Sequence, residues 1–325
     1  MKWHSDVAVN NAKPNHGSQP ARFPFHHYLA PRHWPTAIAL LLLRLMLWLP
    51  YRWQLRCGAV LGDLMRHLMR CRRQIAATNL QLAFPHLSPE ARQTLLKRHF
   101  RHVGQAIFES AMAWWWSDQH LLPLATINGL EHLQQAAASG RAILLISAHF
   151  TSFEIGSRFV AASHPFHFAY KVQRKNPLFE AYTRFRRLHY FLQAIPHRDV
   201  RALLRTLQQR QSCWYLPDQD FGRKGSCFVP FMGVETATLT ATSRLARSSH
   251  ALVIPFFCLR RPDNSGYSVD ILPPLNPFGD GDDAADCRQI NACIESYIAR
   301  DAAQYFWLHR RFRTRPKEGA SPYPC

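Results

Sequence analysis

The feature that most constrains the fold is an alternation of short apolar runs with helical stretches over the second half of the chain. The alternation begins with Ala142-Ile-Leu-Leu-Ile146, a continuous apolar run typical of a strand that is covered on both faces. Further strands are expected at 166–170, 213–216, 252–259 and 267–272, and helices at 152–160, 177–189, 199–210, 238–248 and 286–302. This order predicts an α/β fold with a central, largely parallel or mixed sheet flanked by helices.

The N-terminal part of the chain combines a polar stretch with one apolar segment. Residues 1–29 lack the apolar period of a packed element and the order of a secretory signal, so we expect a disordered tail. The apolar segment at 35–49 contains Arg44 and is shorter than the roughly 20 residues that a straight transmembrane helix needs. Aromatic residues at its ends and arginines after it are typical of a membrane surface. We predict an N-terminal membrane-associating helix; the alternative is a buried core helix with one arginine that reaches solvent.

The charge of the chain limits the classes of partner. The 40 Lys and Arg residues outnumber the 21 Asp and Glu residues, which gives a formal net charge of +19. Such a surface favours an anionic partner, and nucleic acid, anionic lipid and an acidic carrier protein all fit. The 8 cysteines form no CxxC pair and no Cys/His group with zinc-ligand spacing, so we expect reduced thiols in a protein that faces the cytosol.

A histidine and a glutamate follow the predicted strand at 142–146. His149 lies in the loop after this strand, at the carboxyl edge of the sheet where α/β proteins place their sites, and Glu154 begins the next predicted helix. Glu154 can then accept a hydrogen bond from one ring nitrogen of His149 while the other nitrogen takes a proton. The chain has no GxSxG motif for a serine nucleophile, so we predict that His149 activates a hydroxyl for direct attack on a thioester. The alternative is a structural histidine beside a carboxylate at a helix start.

A basic loop follows the next predicted strand. The loop carries Lys171, Arg174 and Asn176 and ends where a proline opens a helix, a place suited to hold phosphate or a developing oxyanion. Arg187 extends the positive charge along that helix. These residues are candidates for substrate binding or oxyanion stabilisation, and a solvated cationic face is the alternative.

Two aspartates follow the predicted strand at 213–216. Asp218 and Asp220 lie in Leu216-Pro-Asp-Gln-Asp-Phe-Gly222, again just after a strand. They can orient a basic side chain, cap a neighbouring element or bind the acceptor, and Asp218 is the stronger candidate.

Several motifs, taken in order, resemble the late acyltransferases of lipid A biosynthesis, of the lauroyl and myristoyl type, within the lysophospholipid acyltransferase superfamily. The resemblance extends from about Leu29 to Pro316, and the glutamate of the His149 motif and the close of the chain are most similar to the lauroyl type. The motifs are Arg73-x5-Asn79-Leu80-x3-Phe84-Pro85, Glu109-Ser-Ala-Met-Ala-Trp114, Gly129-Leu-Glu-His132, His149-x4-Glu154, Asn176-Pro-Leu178, Tyr215-Leu-Pro-Asp218-Gln-Asp220-Phe-Gly222, Phe228-Val-Pro-Phe231 and Trp307-Leu-His-Arg310-Arg311-Phe-Arg-Thr-Arg-Pro316.

The resemblance implies transfer of a fatty acyl chain from acyl carrier protein to a hydroxyl of a primary acyl chain on a Kdo2-lipid IVA-type precursor. It also implies an active site at the cytoplasmic face of a Gram-negative inner membrane, contact with membrane lipids, a dyad of His149 and Glu154, and no metal or diffusible cofactor. The family often has Tyr-Arg-Pro where this chain has Tyr170-Lys171-Val172, so Arg174 or Arg187 can take the arginine's role instead. We divide the chain into a tail at 1–29, a membrane-anchoring hydrophobic and basic segment at 30–75, an acyltransferase domain at 76–316 and a C-terminal tail at 317–325.

Two other functions remain open at this stage. A non-catalytic basic protein that binds nucleic acid or anionic lipid explains the charge, but the chain carries no recognised nucleic-acid motif, and we expect no nucleic acid partner. A thioesterase or an acyltransferase with another acceptor keeps the same histidine and uses water or a different hydroxyl.

Overall fold

The computed structural model describes residues 22–316 and 321–324 of the chain. The helices are α1 (Trp34–Met46), α2 (Tyr51–Leu68), α3 (Arg70–Ala83), α4 (Pro89–Trp115), α5 (Asp118–Leu121), α6 (Leu130–Ala138), α7 (Phe153–Ser163), α8 (Pro177–Arg187), α9 (Val200–Gln208), α10 (Ala241–Ser249) and α11 (Asp283–Arg300). The strands are β1 (Ala125–Asn128), β2 (Ile143–Ile146), β3 (His167–Tyr170), β4 (Ala194–Pro196), β5 (Ser212–Tyr215), β6 (Ser226–Phe231), β7 (Val234–Leu239), β8 (Leu252–Arg260) and β9 (Tyr267–Ile271). Short 3-10 helices lie at Phe25–Tyr28, Pro31–His33, Leu122–Leu124 and Ala302–Gln304.

The central sheet is mixed and mostly parallel, as the sequence predicted. Its 7 strands lie in the order β1-β9-β8-β2-β5-β3-β4. Strands β8, β2, β5, β3 and β4 are parallel to one another, whereas β9 runs antiparallel to β8 and carries β1 parallel to itself. Every residue of β2 and β5 is buried, because helices cover both faces of the sheet at its centre.

A separate hairpin, β6–β7, was not predicted. Phe231 pairs with Val234, so the turn consists of Met232 and Gly233, which have φ angles of 51° and 76°. Positive φ at both turn residues is the geometry of the tight hairpin turn that asparagine and glycine favour. A methionine at the first position hides this signal in the sequence.

Helix α4 joins the N-terminal helices to the sheet. Ser88 caps it by accepting a hydrogen bond from the backbone N–H of Ala91. Helix α2 packs closely on α4, since a Cβ atom at Gly62 would lie 2.1 Å from the carbonyl oxygen of Phe100. A glycine is therefore required at this crossing.

The apolar N-terminal segment forms α1, and the alternative of a buried core helix is wrong. Leu40 is the one residue that α1 buries, while Ile38, Leu41 and Leu42 are each more than half exposed. Within the described residues, no helix is both long and apolar enough to cross a membrane.

Both predicted tails lie partly outside the described residues. Of the N-terminal tail at 1–29, residues 1–21 are outside, and Phe25–Tyr28 forms a 3-10 helix. Of the C-terminal tail at 317–325, Tyr323 is described and buried, and its hydroxyl donates to Oδ1 of Asn79 at 2.5 Å.

The prediction of reduced cysteines is right for most of those described and wrong for Cys71. Cys71 is disulfide-bonded. The spacing of cysteines along the chain does not reveal such a bond, because two thiols pair where the fold brings them together. The free thiols are Cys57, Cys213, Cys227, Cys258, Cys287 and Cys293.

Candidate active site

The site lies where two neighbouring strands end. β2 and β5 are parallel and paired in register, with Ile146 opposite Tyr215. His149 is three residues beyond Ile146, and Asp218 is three residues beyond Tyr215. Because the carboxyl ends of parallel strands meet at one edge of a sheet, this register brings the two side chains together.

Asp218 holds both the backbone and the ring of His149. The Nδ1 atom of His149 lies 2.6 Å from Oδ1 of Asp218, and the backbone N–H of His149 donates to Oδ2 at 2.9 Å. The Asp218 side chain is 1% exposed, whereas that of His149 is 23% exposed. The imidazole is therefore fixed on one side by a buried carboxylate and open to a substrate on the other.

Electrostatics keep Asp218 ionised. Burial raises the pKa of Asp218, but the charge and hydrogen bonds of His149, together with the charge of Arg311, outweigh burial and hold the pKa below its ordinary value. Arg311 is itself buried and donates to the carbonyl oxygen of Ala237 at 2.7 Å. An ionised Asp218 stabilises an imidazolium at His149 and fixes the tautomer in which Nδ1 carries the proton.

The predicted hydrogen bond between His149 and Glu154 is wrong, because the carboxylate of Glu154 bonds other side chains. Glu154 accepts two hydrogen bonds from Arg187, from Nε at 2.7 Å and from Nη2 at 2.8 Å, and a third from Nε1 of Trp114 at 2.8 Å. Among the hydrogen bonds and ion pairs of the described residues, none joins His149 to Glu154. A bidentate guanidinium on α8 saturates the carboxylate, while the loop after β5 supplies the partner of the imidazole.

The C-terminal segment clamps the loop that carries His149. The backbone N–H of Phe306 donates to the carbonyl oxygen of His149 at 2.8 Å, and that of Thr151 donates to the carbonyl oxygen of Gln304 at 2.7 Å. Burial and the nearby Asp218 carboxylate raise the pKa of Tyr305 well above its ordinary value. These C-terminal residues were not predicted to lie at the site. The closing motif Trp307-Leu-His-Arg-Arg could have indicated that the end of the chain contributes to it.

The predicted substrate-binding residues fall into two groups. Lys171 and Arg174 are exposed on the loop after β3, free to meet an anion. Asn176 instead caps α8 by accepting from the backbone N–H of Phe179 at 3.1 Å, and its side-chain amide donates to Thr36 of α1 at 2.8 Å. Arg187 is held by Glu154 as described above.

Asp220 anchors the C-terminal segment. Its carboxylate accepts hydrogen bonds from the backbone N–H and the hydroxyl of Thr314, at 2.7 and 2.9 Å, and from the backbone N–H of Gly222. Its own backbone N–H donates to Nε2 of His309 at 3.1 Å, and burial lowers the pKa of His309 to about 4, so this ring is neutral and can accept. Asp220 thus ties the loop after β5 to the chain end rather than facing the open side of His149.

No cluster that could hold a metal ion was found among residues 22–316 and 321–324.

Comparison with known proteins identifies the family of this chain. A model of the family described as bacterial lipid A biosynthesis acyltransferase matches residues 24–314. A lipid A biosynthesis acyltransferase of Haemophilus influenzae is 36% identical over 90% of this chain and 94% of its own length. Two Escherichia coli proteins, a lipid A biosynthesis lauroyltransferase and a palmitoleoyltransferase, are 36% and 34% identical, each over 91% of this chain and 96% of its own length. The chain is an acyltransferase and belongs to the bacterial lipid A biosynthesis acyltransferase family.

Proposed function

We propose that this enzyme moves a fatty acyl chain from acyl carrier protein to a hydroxyl of a primary acyl chain on a Kdo2-lipid IVA-type precursor, with His149 as general base. The observation that carries the proposal is the pair formed by a partly exposed His149 and a buried, ionised Asp218 at the carboxyl edge of the sheet. No serine or cysteine nucleophile is needed, because the acceptor hydroxyl is itself the attacking group.

In the proposed reaction, Nε2 of His149 removes the proton of the acceptor hydroxyl as its oxygen attacks the thioester carbonyl carbon. Asp218 stabilises the imidazolium through Nδ1. The tetrahedral intermediate then expels the carrier thiolate, and the imidazolium returns the proton to that sulfur. A C–O bond forms, a C–S bond breaks, and both His149 and Asp218 regain their starting states.

In this mechanism Glu154 is a positioning residue. It is 5% exposed and fixes the guanidinium of Arg187 beside the first turn of α7, directly after the loop of His149. The Arg187 side chain is 20% exposed, and a cation held in this way is suited to stabilise the oxyanion of the tetrahedral intermediate. The Glu154 carboxylate thus takes part in the site through Arg187 rather than through the imidazole.

The substrates account for the charge of the protein. An acidic carrier protein and a phosphorylated lipid both carry negative charge, which a net charge of +19 attracts. Lys171 and Arg174, exposed on the loop at the same edge of the sheet as His149, are proposed to contact one of them.

We propose that α1 holds the enzyme at the cytoplasmic surface of the inner membrane. Trp34 is 57% exposed and Trp48 is 81% exposed, at the two ends of a helix that exposes Leu41, Leu42 and Leu45 between them. Tryptophan at both ends of an apolar segment is typical of the membrane–water interface. The 13 residues of α1 favour a position within the interface over a span.

The direct test is mass spectrometry of lipid A from cells in which the gene is deleted and then complemented. Deletion is expected to remove one secondary acyl chain, the wild-type gene to restore it, and His149→Ala to fail although the protein is present in membranes. Unchanged lipid A after deletion would contradict the proposed acceptor. Release of free fatty acid by the purified enzyme without any transfer would instead indicate a thioesterase.

A further inference from the structure

A polar cavity lies away from His149, between the N-terminal helices and the end of the sheet. It has a volume of about 790 Å³ and is lined from α2, α4, β8 and the end of α11. Its lining contains many arginines and, as acidic residues, Asp263 and Asp301. The arginines are Arg52, Arg56, Arg98, Arg101, Arg260, Arg261 and Arg300.

Part of this positive charge is balanced by the protein itself. Arg260 is paired with Glu109 at 2.6 Å, and Arg98 with Asp301 at 3.1 Å. Arg101 and Arg300 also have carboxylate partners. Positive charge nevertheless dominates the lining.

Three of the arginines, Arg52, Arg56 and Arg261, have no carboxylate partner in the described part of the chain, and Arg261 instead donates to the hydroxyl of Thr126. Arg52 and Arg56 lie one turn apart on α2. Like charges at this spacing repel each other, so an anion between them would stabilise the helix. The buried Arg260 also retains an Nη2 atom without a hydrogen-bond partner among the described residues. Burial and then the charge of Arg260 lower the pKa of His102 in the same cavity to about 2, so this imidazole is neutral.

The apolar face of α2 indicates the source of the anion. Trp53, Val60 and Leu64 are 55%, 70% and 52% exposed. Val60 is about 40° around the helix from Arg56, since each residue turns the helix by roughly 100°. Arg56 itself lies over the Trp53 ring at 5.1 Å. The charged stripe of α2 therefore borders an apolar stripe, the pairing of surfaces that an amphiphile with an anionic head requires.

We infer that the Arg52–Arg56 cavity binds the phosphate group of a membrane amphiphile whose hydrocarbon part lies along the exposed apolar face of α2. A concave site of this volume has the size of a small-molecule site, which favours a headgroup over the helix of an acidic protein. Gln304 connects the cavity to the loop of His149, because its side chain bonds the backbone of Arg260 while its carbonyl oxygen accepts from the backbone N–H of Thr151.

The test is vesicle binding by the full-length enzyme, which needs no reaction to occur. Vesicles of phosphatidylcholine alone are compared with vesicles that also contain phosphatidic acid, or phosphatidylglycerol at the same surface charge. The wild type is expected to prefer phosphatidic acid, and inorganic phosphate is expected to compete. In Arg52→Gln/Arg56→Gln the preference should vanish and binding to phosphatidic acid should fall about 25-fold, from about fivefold per arginine at a lipid surface.

The matched control is Arg201→Gln/Arg205→Gln, which removes the same charge from exposed positions on α9 that do not line the cavity. This variant should keep the preference for phosphatidic acid. An equal loss in both variants would overturn the inference, since the effect would then come from net charge. Weaker binding of acyl carrier protein by Arg52→Gln/Arg56→Gln, with unchanged vesicle binding, would also overturn it.

A kinetic comparison separates two sources of the phosphate and rests on the proposed acyl transfer. If the acceptor lipid supplies the phosphate, Arg52→Gln/Arg56→Gln should raise the acceptor KM about 25-fold and leave kcat unchanged. If bulk phospholipid supplies it, vesicle binding should fall while the acceptor KM in detergent stays the same. A loss of kcat in this variant would contradict a binding role, whereas failure of His149→Ala to lose activity would count only against the proposed function.

Discussion

Asp218 and Glu154 are two buried carboxylates near the same loop, and they differ in what they hold. Asp218 bonds an imidazole that is 23% exposed, whereas Glu154 bonds a guanidinium and an indole. In the proposed mechanism the histidine partner gives Asp218 a part in the proton transfer, while the permanently charged Arg187 gives Glu154 a positioning role. The motif His149-x4-Glu154 therefore indicates where the site lies but does not predict which carboxylate bonds His149.

The largest expected effect is that of Asp218→Asn. The amide keeps the shape of the side chain but cannot stabilise the imidazolium, so kcat should fall by about 10³-fold or more, as for other His–Asp pairs. Steady-state acyl transfer by purified protein measures this, with a thermal melt to confirm folding. A fall of less than tenfold would show that Asp218 does not assist His149.

The next prediction concerns the free energy of unfolding. Arg187→Ala leaves Glu154 buried without its cation, which should cost roughly 3 kcal/mol of unfolding free energy. Arg184→Ala is the control, because Arg184 is exposed on the same helix. Denaturant unfolding of both variants should separate them clearly. Equal stability of the two would mean that the Glu154–Arg187 pair is not formed in solution.

Glu154→Gln should have a smaller effect on turnover than Asp218→Asn. The amide can still accept hydrogen bonds from Arg187 and Trp114 but loses the charge that strengthens them, which amounts to about a 10-fold to 100-fold loss in kcat. Side-by-side kinetics of the two isosteric variants rank the carboxylates. The reverse ranking would favour a direct role of Glu154 on His149.

The smallest effect is expected at the exposed loop. Lys171→Ala should raise KM for an anionic substrate by no more than about fivefold and leave kcat unchanged, because exposed charges interact weakly. Lys224→Ala, at another exposed lysine, should change neither constant. A large fall in kcat for Lys171→Ala would give this residue a role on the oxyanion.

The sequence predicted the sheet well because its central strands are continuous apolar runs between turn signals. The predicted strand at 142–146 is β2 at Ile143–Ile146, and the predicted helix at 177–189 is α8 at Pro177–Arg187. The strands β1 and β4 were missed because neither is a continuous apolar run: β1 is Ala-Thr-Ile-Asn with alternating burial, and β4 is Ala-Ile-Pro.

The partner of His149 was missed for a different reason. The contact depends on the register between β2 and β5, two strands separated by more than sixty residues, and register is a property of the folded sheet. The predicted strand ends at 146 and 216 place His149 three residues and Asp218 two residues beyond them, and the two distances become equal at the observed ends of β2 and β5, Ile146 and Tyr215. The ion pair of Arg187 with Glu154 has no comparable pattern in the sequence, since it depends on where α8 lies relative to the first turn of α7.

The pH dependence of kcat tests the pairing of His149 with Asp218 most directly. Transfer needs a neutral imidazole, so the rate falls as pH decreases. Because the pKa of Asp218 is lowered, its carboxylate keeps its negative charge beside the His149 ring as the pH decreases, and this charge favours the imidazolium. In Asp218→Asn we expect the acidic limb at lower pH, whereas Glu154→Gln/Arg187→Gln, which removes one charge of each sign, should leave the limb in place. A limb that moves in the double variant and stays fixed in Asp218→Asn would contradict the assignment of Asp218 to His149.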